Sequence, residues 1–410
     1  MDALRVRLPH MDTSFTPPFC PNPSCRHHQH DRTPHPERPF FRRFGSFHSA
    51  RDGFVPRFRC SSCHATFSAS TFSLDYYAKR KLDLPQIFRS ITEGESLSAI
   101  ARHLSCSCAS IQNRLDRLGR ASLALHARLS SSLPLAEDLV ADGFESFERS
   151  QYFPSHLNIL VGSRSQFLFG FTHSTLRRKG RMSDLQKRTR ATLEHRFTPP
   201  KSALFSSFSL LMREIPSHWN HSLLPSLTLT TDEHPAYPRA IASVPELFPT
   251  VSSSAFSSSS STVFHHRRIP SSAPRTVTNP LFPVNYYDRE LRKDLAAFHR
   301  ESTCFTRNVA AGLLRSACYL AWHNYQRPHR IRRTAAAPPV ACHAHVAGID
   351  REDIANAWKR LFTERPFVSR DALPEWALMV WEKRCPTPLA AHPDFLPKYA
   401  LSHQQQGSMY

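Results

Sequence analysis

Apolar positions along the chain switch between two spacings. Across residues 76–125 they recur three and four apart: Leu97, Ile100, Ala101 and Leu104 follow Ser96, a residue type suited to capping a helix start. A short Ser105, Cys106, Ser107 turn then predicts a second helix burying Ile111, Leu115 and Leu118, in the order and spacing of a helix-turn-helix. Farther on the spacing changes to that of strands. "AEDLVADGFESF", "LNILVGS" and "QFLFGFTH" predict a three-strand meander with a turn around Arg164, and "LTLTTDE" and "TVFHHRR" a fourth and fifth strand. "SALFSSFSLLMREI" has helical spacing, which makes the class α/β. The Ser run "VSSSAFSSSSST" reads as a flexible loop, and the basic stretch 176–197 as either a DNA-tracking arm or a solvated linker. After a Pro-rich break, "DREDIANAWKRLFTERPF" predicts an amphipathic helix with Ile354, Trp358, Leu361 and Phe362 inward. An apolar run from Leu373 to Trp381 follows, and the tail from Ala390 reads as disordered.

Length and charge narrow the field. A chain of 410 residues exceeds one core, so two or three domains are expected. A formal charge of +20 is self-repelling and points to a polyanionic partner, nucleic acid first. The first residues lack an apolar leader, and no apolar run approaches the roughly 18 residues of a membrane span. The expected location is cytoplasmic and nucleoid-associated, with no membrane partner.

Cysteine spacing adds a metal. Cys20 and Cys25 in "FCPNPSC", and Cys60 and Cys63 in "FRCSSC", place two pairs of thiolates on tight turns, as a tetrahedral structural zinc requires. A histidine of the intervening stretch (His27, His28, His30, His35 or His48) is an alternative to Cys20 or Cys25, and Phe19, Phe58 and Phe67 would supply a small core. The other six cysteines read as buried thiols. The expected organisation is a zinc ribbon at 15–75, a helix-turn-helix at 76–125, a catalytic domain at 136–330 and a helical extension at 331–410. On the second helix, Ser110, Gln112, Asn113 and Arg114 are expected to face outward and contact DNA.

Two acids carry the candidate chemistry. Asp142 lies in the first strand of the meander and Asp232 at the end of the fourth, and adjacent strands of a mixed sheet would bring both to one edge. Paired carboxylates repel each other unless a divalent cation intervenes; with a third acid they suit Mg²⁺ or Mn²⁺ in phosphoryl transfer. The plainer reading of Asp232 is a turn residue.

The order of parts resembles the DDE-class insertion-sequence transposases, nearest to the insertion-sequence-one group. The resemblance rests on "FRCSSCHATFS", "SLSAIARHLSCSCASI", "ADGFES", "TTDEHPAY", "LRKDLAAFHRESTCFTRNV" and "HNYQRPHR". It implies a ribonuclease-H-like mixed sheet with flanking helices, and Mg²⁺-dependent cleavage and strand transfer at the ends of a double-stranded DNA element by a homo-oligomer. Asp142 and Asp232 become the first two catalytic acids. The sequence departs from the pattern at the third, where Asn285 occupies the family's helix-borne Glu position. Asp288, one helical turn on and about 60° around the helix, is taken as the third acid and metal ligand, with Glu290 and Glu301 behind it. Arg292 and Arg300 would hold phosphates. An inactive DNA-binding regulator and a nuclease without strand transfer are the alternatives.

Overall fold

A computed structural model describes residues 15–29, 39–148, 150–220, 224–248, 263–299, 308–330, 341–388, 396–397 and 399–400. Arg300, Glu301, His30, His35, the Ser run and most of the tail therefore lie outside the described residues. The chain divides into two compact units. One comprises the described parts of Met1–Asp83, Phe362–Ala372 and Leu396–Tyr410, the other those of Leu84–Leu361 and Leu373–Phe395.

The smaller unit is built by cysteine turns and phenylalanine-rich strands. A single helical turn, α1 (Arg26–Gln29), precedes the antiparallel sheet β1 (Phe41–Ser49), β2 (Gly53–Cys60) and β3 (Thr66–Ser68), in that order. Cys20, Cys25, Phe58, Cys60, Phe67 and Phe72 form its buried core, with Phe19 and Phe367 against them. The sequence reads 331–410 as one extension, yet Phe362–Ala372 folds here. Phe367 is the reason: its ring lies 5.0 Å from Phe19 and 5.9 Å from Phe72, closing a core too small to stand without it.

The larger unit is mixed α/β. Helices α2 (Leu84–Thr92), α3 (Leu97–His103) and α4 (Cys108–Ser130) lead into strands β4 (Leu139–Glu148), β5 (Ser150–Gly162) and β6 (Leu168–Thr175). Next come α5 (Asp184–Glu194), α6 (Ala203–Met212), α7 (Glu214–Trp219), β7 (Ser226–Asp232), α8 (Ala236–Ala242) and β8 (Val263–Ile269). The chain closes with α9 (Phe282–Asp294), α10 (Val309–Tyr325), α11 (His343–Ala347), α12 (Arg351–Leu361) and α13 (Glu375–Trp381). The five strands run β6-β5-β4-β7-β8, antiparallel through the meander and parallel from β4 to β7 to β8. Ser96 caps α3 as its position predicted, accepting from the Ala99 N–H. The basic stretch folds locally as α5, started by the reciprocal Ser183 and Gln186 cap, and buries no residue.

The helix expected to read DNA has another task. Along its 23 residues α4 packs on α10 and also meets α2, α3, α12 and α13. Gly119 allows the closest approach, since a Cβ there would lie 2.8 Å from Leu314. Consequently every residue from Arg114 to Ala127 is buried, including Arg120, whose guanidinium donates to the carbonyls of Trp381 and Asp116. The "HNYQRPHR" stretch is structural as well: the Asn324 amide exchanges two 2.9 Å hydrogen bonds with the Leu168 backbone, and Tyr325 meets His126. On α12, Ile354 and Leu361 are buried, whereas Trp358 and Phe362 are half-buried. Among the described residues no helix is long and apolar enough to cross a membrane.

Candidate active site and metal centre

The four cysteines meet. Their sulfur atoms all lie within 4.8 Å of one another, with Cys20 Sγ 3.6 Å from Cys63 Sγ and Cys25 Sγ 3.7 Å from Cys60 Sγ. Tetrahedral zinc with bonds of about 2.3 Å spaces its sulfurs at about 3.8 Å, so the cluster fits such an ion. The His27 N–H points at Cys25 Sγ at 3.4 Å, and burial of Cys63 is outweighed by the Ala65 N–H and neighbouring thiols, which draw its pKa down to about 7. No histidine displaces a cysteine among the described residues. His28 is the buried candidate, but its Nδ1 donates to the Cys20 carbonyl and its Nε2 accepts from Ser369. Elsewhere the expectation of buried thiols holds for Cys318 and Cys385 and is corrected for Cys108, which is exposed in the first turn of α4.

The acids are assembled by the sheet. Parallel pairing of β4 and β7 matches Leu139 with Leu229 and Val140 with Thr230 and then stops, although β4 stays paired to β5 and β7 to β8. Two residues beyond the last pair, Asp142 and Asp232 flank the opening left by the diverging strands, the place where parallel sheets present ligand sites. Asp142 is 6% exposed and its Oδ1 accepts from the Gly143 N–H at 2.7 Å. Asp232 Oδ1 accepts from the His234 N–H at 2.9 Å, a turn that leads through Pro235 into α8. The turn reading of Asp232 and its place at the site therefore coexist.

Helix α9, against β4 and β5, brings the third acid. Asp288 Oδ1 is shut off from solvent and has no hydrogen-bond partner, and burial together with Asp142 pushes its pKa well above the carboxylate range. Burial and Asp232 likewise raise Asp142 to about 6. The rivals for the third acid are engaged elsewhere. Glu290 is ion-paired with Arg327 and, at 3.6 Å, with Lys293; Asn285 accepts from Arg275 at 3.3 Å.

Several residues at this site gave little sequence signal. Tyr237 is buried against Phe208, ring centres 4.1 Å apart, and feels the fields of Asp142, Asp232 and Asp288, which with burial keep its hydroxyl protonated. His156 is 5% exposed and lies over Gly143, where a Cβ would come within 2.4 Å of its Nε2 and 2.9 Å of the Tyr237 hydroxyl. The glycine of "ADGFES" is thus a packing requirement, and it was the available clue. Glu145 Oε1 stands 3.7 Å from His156 Nδ1, and its pKa is lowered by His156, His234 and Lys179. The exposed Arg275, in the loop before α9, acts on both Asp142 and Asp288.

The expected DNA contacts fare unevenly. Arg292 donates to the carbonyls of Phe298 and Glu145 and lies over the Phe144 ring at 4.3 Å, bracing α9 on β4. Ser110, Gln112 and Asn113 are half-buried at the start of α4, and Gln112 donates to Asp116. Arg114 is corrected: it is 3% exposed and donates to Asn113, because the bundle encloses α4 after its first turn. Comparison with protein-family models, with curated proteins and with solved structures finds no match to the chain.

Proposed function

We propose that the chain is a DDE-class insertion-sequence transposase: a ribonuclease-H-like enzyme that binds element ends in double-stranded DNA and catalyses Mg²⁺- or Mn²⁺-dependent strand cleavage and strand transfer. The observation that carries this reading is the convergence of Asp142, Asp232 and Asp288, with a buried Asp288 oxygen that lacks any partner. Three carboxylates, two of them raised in pKa by burial and mutual repulsion, form a donor set that a hard divalent cation relieves. Bound there, such ions would activate the attacking hydroxyl and stabilise the departing oxygen of a phosphodiester.

The chain's own groups have distinct roles in this scheme. Asp142 and Asp232 hold their positions through strand backbone, and Asp288 through α9 braced by Arg292. Tyr237 stays neutral and offers a hydroxyl beside the acids. Arg275 and Lys179, on opposite flanking segments, supply positive charge for the phosphates on either side of the scissile bond. The four cysteines hold a structural zinc ion, and Ser110, Gln112 and Asn113 remain as the DNA-facing part of α4. The working form is a homo-oligomer on DNA, associated with the nucleoid.

The test is incubation of the protein and Asp232→Asn with a labelled element end and Mg²⁺. Cleavage followed by joining, both lost in the variant, is the expected result. Cutting without joined products identifies the nuclease alternative, and DNA binding without any Mg²⁺-dependent chemistry identifies the regulator.

A further inference from the structure

The exposed side of the small sheet is unlike ordinary protein surface. In β1, Arg42 to His48 are all exposed, and Phe44 and Phe47 each keep 41% of their surface accessible. Cross-strand partners share a face of a sheet. Arg42 pairs with Arg59 and Phe47 with Val55, while Arg57 pairs with Ser68 and Arg59 with Thr66, so Arg42, Phe44, Phe47, Arg57 and Arg59 share the face opposite Phe58 and Cys60. The guanidinium groups of Arg57 and Arg59 each lie 5.6 Å from the Phe44 ring centre. A cleft of about 1140 Å³ adjoins this face, lined by Phe47, Arg57 and Thr66 and by Tyr77 and Lys79, with Tyr77 65% exposed. The hairpin from Phe41 to Cys60 contains a single acid, Asp52, and that acid is bonded to Arg51 and Lys81.

Arginines alone would be ordinary edge-strand protection against aggregation. Two accessible phenylalanines on the same edge work against such protection, so a ligand must account for the combination. On a DNA duplex the base faces are stacked on one another and out of reach. A phenyl ring gains nothing there beyond what a leucine would, whereas on unpaired bases it stacks and neighbouring arginines neutralise the backbone.

We propose that the outward face of β1 and β2 is a platform for single-stranded DNA, with Phe44 and Phe47 stacking on unpaired bases, Arg42, Arg57 and Arg59 on the phosphates, and the Tyr77 cleft receiving the continuing strand. The platform stands independently of the acid site, since it shares no residue with it.

The experiment uses fluorescence anisotropy of the full chain with a labelled oligothymidine of about 20 nucleotides, a matched duplex and a matched RNA strand. The parent is expected to bind the single DNA strand more tightly than the duplex. Phe44→Leu combined with Phe47→Leu, which keeps apolar bulk, should weaken single-strand binding roughly tenfold or more and leave duplex binding and bound metal unchanged. Arg42→Gln combined with Arg59→Gln should flatten the salt dependence of single-strand binding by about one unit of slope. Asp232→Asn should bind like the parent, so loss of cleavage chemistry and loss of the platform are separable. A leucine variant that retains metal and parental single-strand affinity overturns the proposal, as does a parent that prefers duplex; preference for the RNA strand overturns the assignment to DNA.

Discussion

Four thiols and three carboxylates are each gathered at one point in this protein, by opposite means. The thiols come from two short turns within one small sheet, and the core behind them is a handful of phenylalanine rings. The carboxylates come from a strand interior, a strand end and a helix of a five-stranded unit that has its own extensive core. In the first case the cluster organises the fold around itself, since so small a core cannot offset chain entropy unaided. In the second the fold imposes the cluster, holding like charges together at a cost to stability. Clusters of similar composition can therefore differ in which way the stabilisation flows.

The largest expected consequence separates the two directly. Metal removal by a chelator, or Cys60→Ser, should unfold the small sheet, a loss on the order of 10 kcal/mol for that unit. Hydrogen exchange should show lost protection across β1 to β3 and native protection in β4 to β6. Equal loss in both units would break the contrast.

Next in size is Asp142→Asn, which should abolish Mg²⁺-dependent cleavage, a drop of roughly a thousandfold or more, while stabilising the metal-free fold. The sign follows from the direction of the shift. Asp142 rises from an unfolded-chain value of 3.8 to about 6, so its ionisation opposes folding. The penalty is absent below pH 4, grows as pH rises, and is complete above about 6, where it amounts to about 3 kcal/mol. Buried His126, lowered to about 4, and His173, lowered to about 3, change stability in the opposite sense over part of this window. The relevant measurement is therefore the difference between variant and parent in metal-free denaturant melts at pH 4 and pH 7. Equal differences at the two values would contradict the assignment.

Gly143→Ala sharpens the contrast at a single strand position. Its Cβ would collide with the His156 ring, so about 1–3 kcal/mol of stability should be lost and the acids displaced; chemical denaturation and the cleavage rate report both. The smallest effect belongs to Arg275→Ala. It should leave stability within about 0.5 kcal/mol and weaken DNA binding uniformly across sequences, lowering the salt slope by about one unit.

Legibility differed for physical reasons. The cysteine pairs could be read because each lies on its own turn, and the strands of the meander because alternation and turn residues are local signals. The cap at Ser96 is likewise local. Arg114 was misplaced because helical spacing gives a residue's direction on its own helix and carries no information on how many neighbours surround that helix. The Phe362–Ala372 segment was assigned to a carboxy-terminal extension because nothing near Phe367 in sequence announces the aromatic core it completes.

Residue types and spacings by themselves determined the small sheet's thiol set, the order of helices and strands, the strong positive charge and the two aspartates worth following. Only tertiary structure decided that β4 and β7 part just before those aspartates, that Asp288 rather than Glu290 faces them, and that His156, Tyr237, Lys179 and Arg275 surround the group. The reason is range. Caps, turns and periodicity act over a few residues, whereas burial and the fields between distant acids exist only once the chain has closed on itself.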